Sequence, residues 1–434
     1  MKLAAGAFLS GATSRLLPAA IPFRFFGAAV AYHLLAWAAL LAGADRFPRF
    51  SGGLGWPLAA LHLVTLGVLV MTAIGASLQL LPVATRQPVR FARWPALIWW
   101  LYTPGVAGVA IGMGRGAPLL LGAGAVAVVL ALLAFAALLA INLHGARGMP
   151  GVVAHGWAAL GCLLVVLATA LSLALAYLGV PLLNRTTALA LHSAFAAYGF
   201  LGLLALGLSC ILVPMFALAA APDERQVIVS CALAVMALVL AALAAFGVAP
   251  QPLRMIALAI GSIAVALHLR QMLAALRSGM RRNLGRSFTL VRIAWVLLVA
   301  SLVVALAMVP DAPPDGAHAL FGLTLIVGWL LTFLLGILQR ILPFLASMHA
   351  ARGAKRPPTP SSLSADRPLA VHFYCHLAAL AGLALAIVAD SATVAKGVAG
   401  VGALGAAAFG AFFLILLRRM RASAPAAQPV KTPA

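Results

Sequence analysis

Three copies of one short stretch organise this chain, each running from a glycine to a proline: GASLQLLP at residues 75–82, GLSCILVP at residues 207–214 and GILQRILP at residues 336–343. Each copy ends an apolar segment, and the three glycines lie 132 and 129 residues apart. A recurring period of this kind indicates a triplicated architecture. One histidine lies near the start of each of these apolar segments: His62, His192 and His318.

The composition is that of a membrane protein. Hydrophobic residues make up 65% of the 434 residues and charged residues only 8%. Several uncharged stretches reach about 20 residues, the length needed to cross a hydrocarbon core of about 30 Å. A membrane β-barrel would show shorter, alternating segments, so we predict an all-α polytopic membrane protein. The twelve predicted segments are residues 26–41, 58–81, 95–113, 118–143, 152–178, 188–218, 227–248, 255–273, 288–309, 319–342, 369–389 and 394–417.

The repeated stretches fall in segments two, six and ten, so the repeating unit contains four helices. We therefore predict a single integral membrane domain built from three pseudo-symmetric units, at approximately residues 22–147, 148–282 and 283–420. Because each unit has an even number of helices, the three histidines lie towards one membrane face and the three prolines towards the other. We expect each proline to end or kink the last turn of its helix. Residues 349–368 are predicted to form a cytoplasmic loop, and residues 421–434 a disordered tail.

The distribution of basic residues predicts an orientation. If both termini are cytoplasmic, 23 of the 29 Lys and Arg residues lie on the inner side, in accord with the positive-inside rule. We expect a multi-pass protein of a bacterial-type inner membrane. The net charge of +22 is spread over short loops, which argues against nucleic acid and favours anionic lipid headgroups of the bilayer as partners. The six outer cations are Arg46, Arg49, Arg115, Arg185, Arg254 and Lys396.

Histidines inside the apolar segments are the candidate functional residues. Polar side chains are costly in hydrocarbon and usually face a bundle interior or a cavity. Neutral imidazole is the commonest metal ligand, and two imidazoles on facing helices can hold a haem iron from both sides. His62, His192 and His318 share one repeat position and are therefore candidate ligands; the alternative is that each only hydrogen-bonds a neighbouring helix. For His33, in the first segment, metal binding and packing are equally open.

The remaining polar residues are given structural roles. His372 and His376 are spaced to share one helix face and could bind copper or zinc, but their position near the cytoplasmic side favours a structural role. All seven acidic residues lie in loops or at segment ends, which argues against a proton-coupled transporter. Four further histidines are expected at segment ends or in loops, where water satisfies them: His144, His155, His268 and His349.

Three short motifs resemble those of the NnrS family of haem- and copper-containing membrane proteins. FRFFG at residues 23–27 is similar to the family's FRPFF, LHLVTLG at residues 61–67 to HAHEMxFG, and HALFG at residues 318–322 to HALTVG. Ala60 stands where the family's earlier histidine would be. The arrangement of twelve helices in three arcs, with histidines on helices two, six and ten, also resembles subunit I of the haem–copper oxidases.

The resemblance implies a haem protein. His62 and His318 would be the axial ligands of one haem b, and His192 would bind copper or a second haem. It further implies a diatomic gas such as nitric oxide as ligand, and a role in nitric oxide or respiratory stress or in electron transfer with a redox partner. Subunit I proteins bind copper through a histidine pair on helix seven, which this chain lacks, so we do not expect a full oxygen-reducing oxidase. The alternatives are a cofactor-free permease or channel for a small neutral solute, and an assembly subunit that has lost its metals.

Overall fold

Within the residues that the structure describes, twelve helices are long and apolar enough to cross a membrane. The computed structural model describes residues 17–87, 93–310, 313–351 and 358–423, and these ranges contain no β-strand. The prediction of an all-α protein with twelve membrane segments is confirmed. The helices are α1 (Ala20–Ala42), α2 (Trp56–Ala84), α3 (Trp94–Arg115), α4 (Pro118–His144), α5 (Pro150–Ala176), α6 (Arg185–Ala217), α7 (Glu224–Ala245), α8 (Pro250–Ser278), α9 (Gly285–Ala307), α10 (Ala317–Ala350), α11 (Asp366–Val388) and α12 (Ala392–Ala422).

The three helices that carry the repeated stretch form the centre of the bundle. In α2, α6 and α10, 61%, 89% and 72% of the most apolar stretch is buried, against at most 50% in any other helix. The central helix α10 contacts both α2 and α6, whereas α12 packs back onto α1 and closes the outer ring. The ion pairs Arg49–Asp390 and Lys396–Asp45 join the loop after α1 to the loop before α12 and to the first turns of α12.

Each central helix contains a π-helical segment of eight or nine residues: Leu63–Val70, Phe195–Gly202 and Leu323–Leu331. Each segment ends five residues before the repeated glycine of its unit. π-Helical geometry is rare, usually limited to a single turn and frequent at functional sites. Its recurrence at one position supports the threefold arrangement, while the boundaries assigned to the three units stay a prediction.

Two glycines on each central helix allow that helix to pack closely on the first helix of the same unit. A Cβ added at Gly67 would lie 2.7 Å from the side chain of Tyr32 on α1. A Cβ added at Gly336 would lie 2.7 Å from the backbone oxygen of Ser287 on α9. The absence of a side chain therefore sets the spacing between the two helices. The recurring pairs, eight residues apart, are Gly67 and Gly75, Gly199 and Gly207, and Gly328 and Gly336.

The sequence predicts that each proline of the repeated stretch ends or kinks the last turn of its helix. The prolines do not end their helices. The helix continues for two residues beyond the proline in α2 and for seven in α10. Proline removes one backbone hydrogen bond, and neighbouring helices in a bundle compensate for such a loss. The prolines inside the central helices are Pro82, Pro214 and Pro343.

The loop predicted at residues 349–368 is shorter than expected. α10 extends through Ala350, a short helix occupies Pro360–Leu363, and α11 begins at Asp366. α12 likewise extends through Ala422, into the predicted tail. Residues 424–434 of that tail lie outside the described residues.

Replacing the glycine that faces backbone should destabilise the bundle. We expect Gly336→Ala to lower the free energy of unfolding by about 1–3 kcal/mol, because its Cβ would overlap the Ser287 carbonyl. Gly161→Ala on α5 is the matched control, since nothing lies within 4 Å of its added Cβ. Thermal unfolding in detergent measures the difference. Equal melting temperatures for the two variants would contradict the close approach.

Candidate functional site

His62 lies near the start of α2, directly before the π-helical segment. Its Nδ1 is 3.0 Å from the carbonyl oxygen of Leu58, one turn earlier. Because a carbonyl oxygen only accepts, Nδ1 carries the proton and donates this bond, and Nε2 keeps its lone pair. The partly buried ring therefore presents an unprotonated nitrogen that has no hydrogen-bond partner among the described residues.

His192 on α6 is oriented in a related way, by a neighbouring helix. Its Nδ1 is 3.4 Å from the hydroxyl oxygen of Thr169 on α5. That hydroxyl donates to the carbonyl oxygen of Val165 at 2.8 Å, so it is free to accept from the imidazole. Nε2 of His192 again keeps its lone pair. Sequence analysis could not single out Thr169, because its contact with His192 depends on how α5 packs against α6.

The structure brings His62 and His192 together. Their ring centroids are 6.4 Å apart, and the ring planes differ by 20°. The rings are stacked, at a separation within the range of aromatic packing. A metal held by two imidazoles lies about 2 Å from each ligating nitrogen, so this separation is compatible with one shared metal. The two free Nε2 atoms are what make this pair suited to a metal.

His318 is placed apart from this pair. It is exposed in the first turn of α10 and makes no hydrogen bond or ring contact within the described ranges. It precedes its repeated glycine by 18 residues, whereas His62 does so by 13, which places it about 7 Å further along the helix axis. The pairing of His62 with His318 stays a prediction that no contact supports.

A second group of histidines is fully buried between α1, α10, α11 and α12. The rings of His33 and His372 are 6.3 Å apart, and those of His372 and His376 are 5.7 Å apart. Trp37 Nε1 donates to His33 Nε2 at 3.3 Å, and His376 Nε2 is 2.8 Å from the Thr332 hydroxyl. The candidate ligand His33 thus lies with two histidines that the sequence assigned to structural roles, and not with His192.

His155 and His268 correct the sequence analysis. Water was expected to satisfy both, but they are buried inside α5 and α8 and bond to the protein instead. His155 Nδ1 is 2.9 Å from the Gly151 carbonyl oxygen, and His268 Nε2 is 3.1 Å from the Ser209 hydroxyl. The expectation failed because both histidines lie within predicted segments, near an end that packs against α6: His155 lies against Gly207, and His268 bonds Ser209.

An apolar cavity of about 280 Å³ lies beside α6, between α7, α8, α9 and α10. Tyr198 lines it, packs 5.9 Å from Trp329 and hydrogen-bonds the Ser301 hydroxyl at 2.9 Å. From α7 only alanine and leucine side chains reach the cavity. Within the described residues, no group of three or more His, Cys, Asp or Glu side chains is arranged to hold a metal ion.

Comparison with known proteins gives a likeness of fold. No family model matches the sequence, and no curated protein matches it. Among solved structures, the chain is similar to a haem–copper terminal oxidase, determined as a dimer by cryo-EM, with a TM-score of 0.58. The alignment covers 96% of this chain and 86% of that chain at 12% sequence identity. The predicted fold class is therefore confirmed, whereas the NnrS family is not shown.

Removing a buried histidine that bonds across helices should be costly. We expect His376→Ala to destabilise the protein by about 1–3 kcal/mol, because the variant loses the buried hydrogen bond to the Thr332 hydroxyl and leaves a cavity where the ring was. His144→Ala, exposed at the end of α4, should change the stability by about 0.5 kcal/mol at most. Thermal unfolding of protein purified without cofactor compares the two. A His376→Ala variant as stable as His144→Ala would contradict the contact.

Proposed function

We propose that this protein is an integral membrane haem protein that holds haem b through His62 and His192. The observation that carries the proposal is the pair itself: two imidazoles on central helices, 6.4 Å apart, each with Nδ1 bonded to the chain and Nε2 free. A hydrogen bond to the second ring nitrogen is the usual way in which proteins orient a metal-binding histidine.

The number of available ligands favours haem over a free metal ion. Structural zinc sites take four protein ligands and catalytic sites three. The described residues supply no such group, but a haem iron needs only one or two ligands because the porphyrin supplies the others. Copper bound at His192, or at His33 in the buried group, remains a further proposal.

When bound, the haem would supply one-electron redox chemistry or a binding position for a diatomic gas. The residues of the chain have separate tasks. The Leu58 carbonyl fixes the tautomer of His62, and the Thr169 hydroxyl fixes that of His192. No carboxylate among the described residues lies deep within a membrane helix, so the proposal includes no buried carboxylate proton relay.

The biological role is proposed from the fold and from the NnrS resemblance together. We propose a function in nitric oxide or respiratory stress, or in electron transfer to a redox partner, in a bacterial-type inner membrane with both termini cytoplasmic. The solved structure with this fold is a terminal oxidase. The apolar lining contributed by α7 supports a role other than full oxygen reduction.

A cofactor-free permease or channel for a small neutral solute is the second candidate. The observation that favours it is the apolar cavity of about 280 Å³ between α6 and α10, which is large enough for a small uncharged molecule. In that case the histidines would serve only as polar contacts between helices.

An absorption spectrum tests the haem proposal. Protein purified from haem-sufficient cells should show a Soret band and, on reduction, the sharp visible bands of low-spin haem. His62→Ala and His192→Ala should each abolish the low-spin spectrum, because each removes one of two iron ligands. His144→Ala is the control and should keep the spectrum unchanged. Colourless, iron-free protein would refute the proposal and favour the permease.

The same spectra decide between the two ligand assignments. If His62 pairs with His192, His318→Ala should leave the low-spin bands intact. If His318→Ala removes those bands and His192→Ala spares them, the axial pair is His62 and His318, and His192 belongs to a second centre. A change on adding carbon monoxide or nitric oxide to the reduced wild-type protein would then be expected to depend on His192.

A further inference from the structure

A pocket of about 800 Å³ opens at the opposite end of the bundle from His62 and His192. It lies where α8 ends, where α9 and α11 begin, and where α10 carries the third copy of the repeated stretch. Arg340 lies on α10 22 residues beyond His318, about 33 Å along the helix. The pocket is therefore separate from the proposed haem site.

Three arginines line this pocket: Arg281, Arg286 and Arg340. Arg286 pairs with Asp366 at 2.8 Å. Neither Arg281 nor Arg340 forms an ion pair with a carboxylate among the described residues. The pocket thus contains two cations that no carboxylate of the described residues neutralises. Arg281 is exposed and Arg340 is partly buried, and the whole chain has 7 acidic residues against 29 basic ones.

Arg340 is partly buried and held in position. Its Nε donates to the Ser287 hydroxyl at 2.9 Å, and one Nη donates to the Leu284 carbonyl oxygen. Both partners are neutral, so they orient the guanidinium without neutralising its charge. A partly buried, uncompensated cation is unfavourable, and an external anion would relieve that cost.

Gln339 supplies an independent indication of a ligand. Its side chain lines the pocket and is only 6% exposed, yet its Nε2 has no hydrogen-bond partner. A buried amide donor without a partner is rare in proteins and calls for an explanation. An anion seated beside Arg340 would accept from this amide.

The part of the lining that follows α10 in the chain also carries hydroxyl groups and is fixed in place. The short helix Pro360–Leu363 is capped by Thr359 and is held against α12 because Arg419 donates to the carbonyl oxygens of Ser362 and Ser364. Hydroxyl groups from this segment line the pocket. The N-termini of α9 and α11 add partial positive charge at the same place.

We propose that this pocket binds a phosphate-bearing anion. Guanidinium groups recognise phosphate through paired hydrogen bonds, and amide and hydroxyl donors complete the shell. The volume is too large for a halide ion, and the position at the helix ends would allow access both to a phospholipid headgroup and to a soluble phosphate compound. Basic pockets between helices on the positively charged side of a membrane protein are known to bind anionic headgroups.

Thermal unfolding of the full-length protein in detergent, at constant ionic strength, tests the proposal. One series adds phosphatidylglycerol, with zwitterionic phosphatidylcholine as its control, and a second adds inorganic pyrophosphate. We expect a dose-dependent rise of the melting temperature. Arg281→Gln or Gln339→Leu should weaken the apparent affinity roughly tenfold or more, since each removes a donor to the anion.

Matched variants separate binding from folding. Arg277→Gln removes an exposed arginine of α8 that does not line the pocket and should respond like the wild type. Because Arg340 also bonds to the chain, Arg340→Gln is compared with Arg340→Lys, which keeps the charge but loses the paired donors. His62→Ala, which tests the haem site, should keep the full response.

The outcomes distinguish the source of the anion. Stabilisation by phosphatidylglycerol alone supports a lipid headgroup, and stabilisation by pyrophosphate supports a soluble phosphate compound. If neither probe stabilises the wild type, or if Arg281→Gln and Gln339→Leu respond as Arg277→Gln does, the proposal is overturned.

Discussion

The contact between a central helix and the first helix of its own unit is the constraint on which the rest of the bundle depends. Each central helix presents two glycines, eight residues apart, to that neighbour, and at Gly336 the facing atom is backbone. A lipid-exposed bundle gains little from hydrophobic association, so close backbone packing must hold its helices together. Because this contact recurs three times, it places α2, α6 and α10 side by side at the centre, where side chains from different units can meet.

The π-helical segments lie in the same three helices and end at one fixed distance from the repeated glycine. In a π-helical segment the backbone bonds run from i to i+5. The side chains before the segment therefore face a different direction around the helix axis from the one that a continuous α-helix would give them. The glycine face can therefore stay against the first helix of the unit while the histidine before the segment takes a different direction. Thr332, the residue directly after the third π-helical segment, donates to the Val327 carbonyl oxygen, and its hydroxyl also lies 2.8 Å from His376 Nε2.

The two ends of the bundle have different chemistry. At one end, His62 and His192 present neutral nitrogens in a partly buried setting, which suits a metal or haem. At the other, arginines without carboxylate partners and an unpartnered amide suit an anion. Both proposed sites include residues of the repeated helices, but at each end the units have diverged. Only the third copy of the stretch contains an arginine. Threefold packing is thus common to the units, whereas the polar residues are particular to each.

The sequence by itself determined the class of fold and the identity of the central helices. Uncharged runs long enough to cross a bilayer fixed the twelve helices, and a motif recurring every 129–132 residues identified α2, α6 and α10. Both are local properties of the chain, since length, hydropathy and spacing do not depend on which helices become neighbours. The candidate ligands His62 and His192 could be named for the same reason.

Only the tertiary structure decided which histidines meet. His62 faces His192, His318 is exposed, and His33 lies with His372 and His376, although their order in the chain suggested other groupings. The direction of a side chain depends on helix rotation, and a π-helical segment alters that rotation without a clear mark in the sequence. The donors Thr169 and Thr332, and the pocket around Arg340, likewise arise from contacts between helices far apart in the chain, which composition and spacing do not encode.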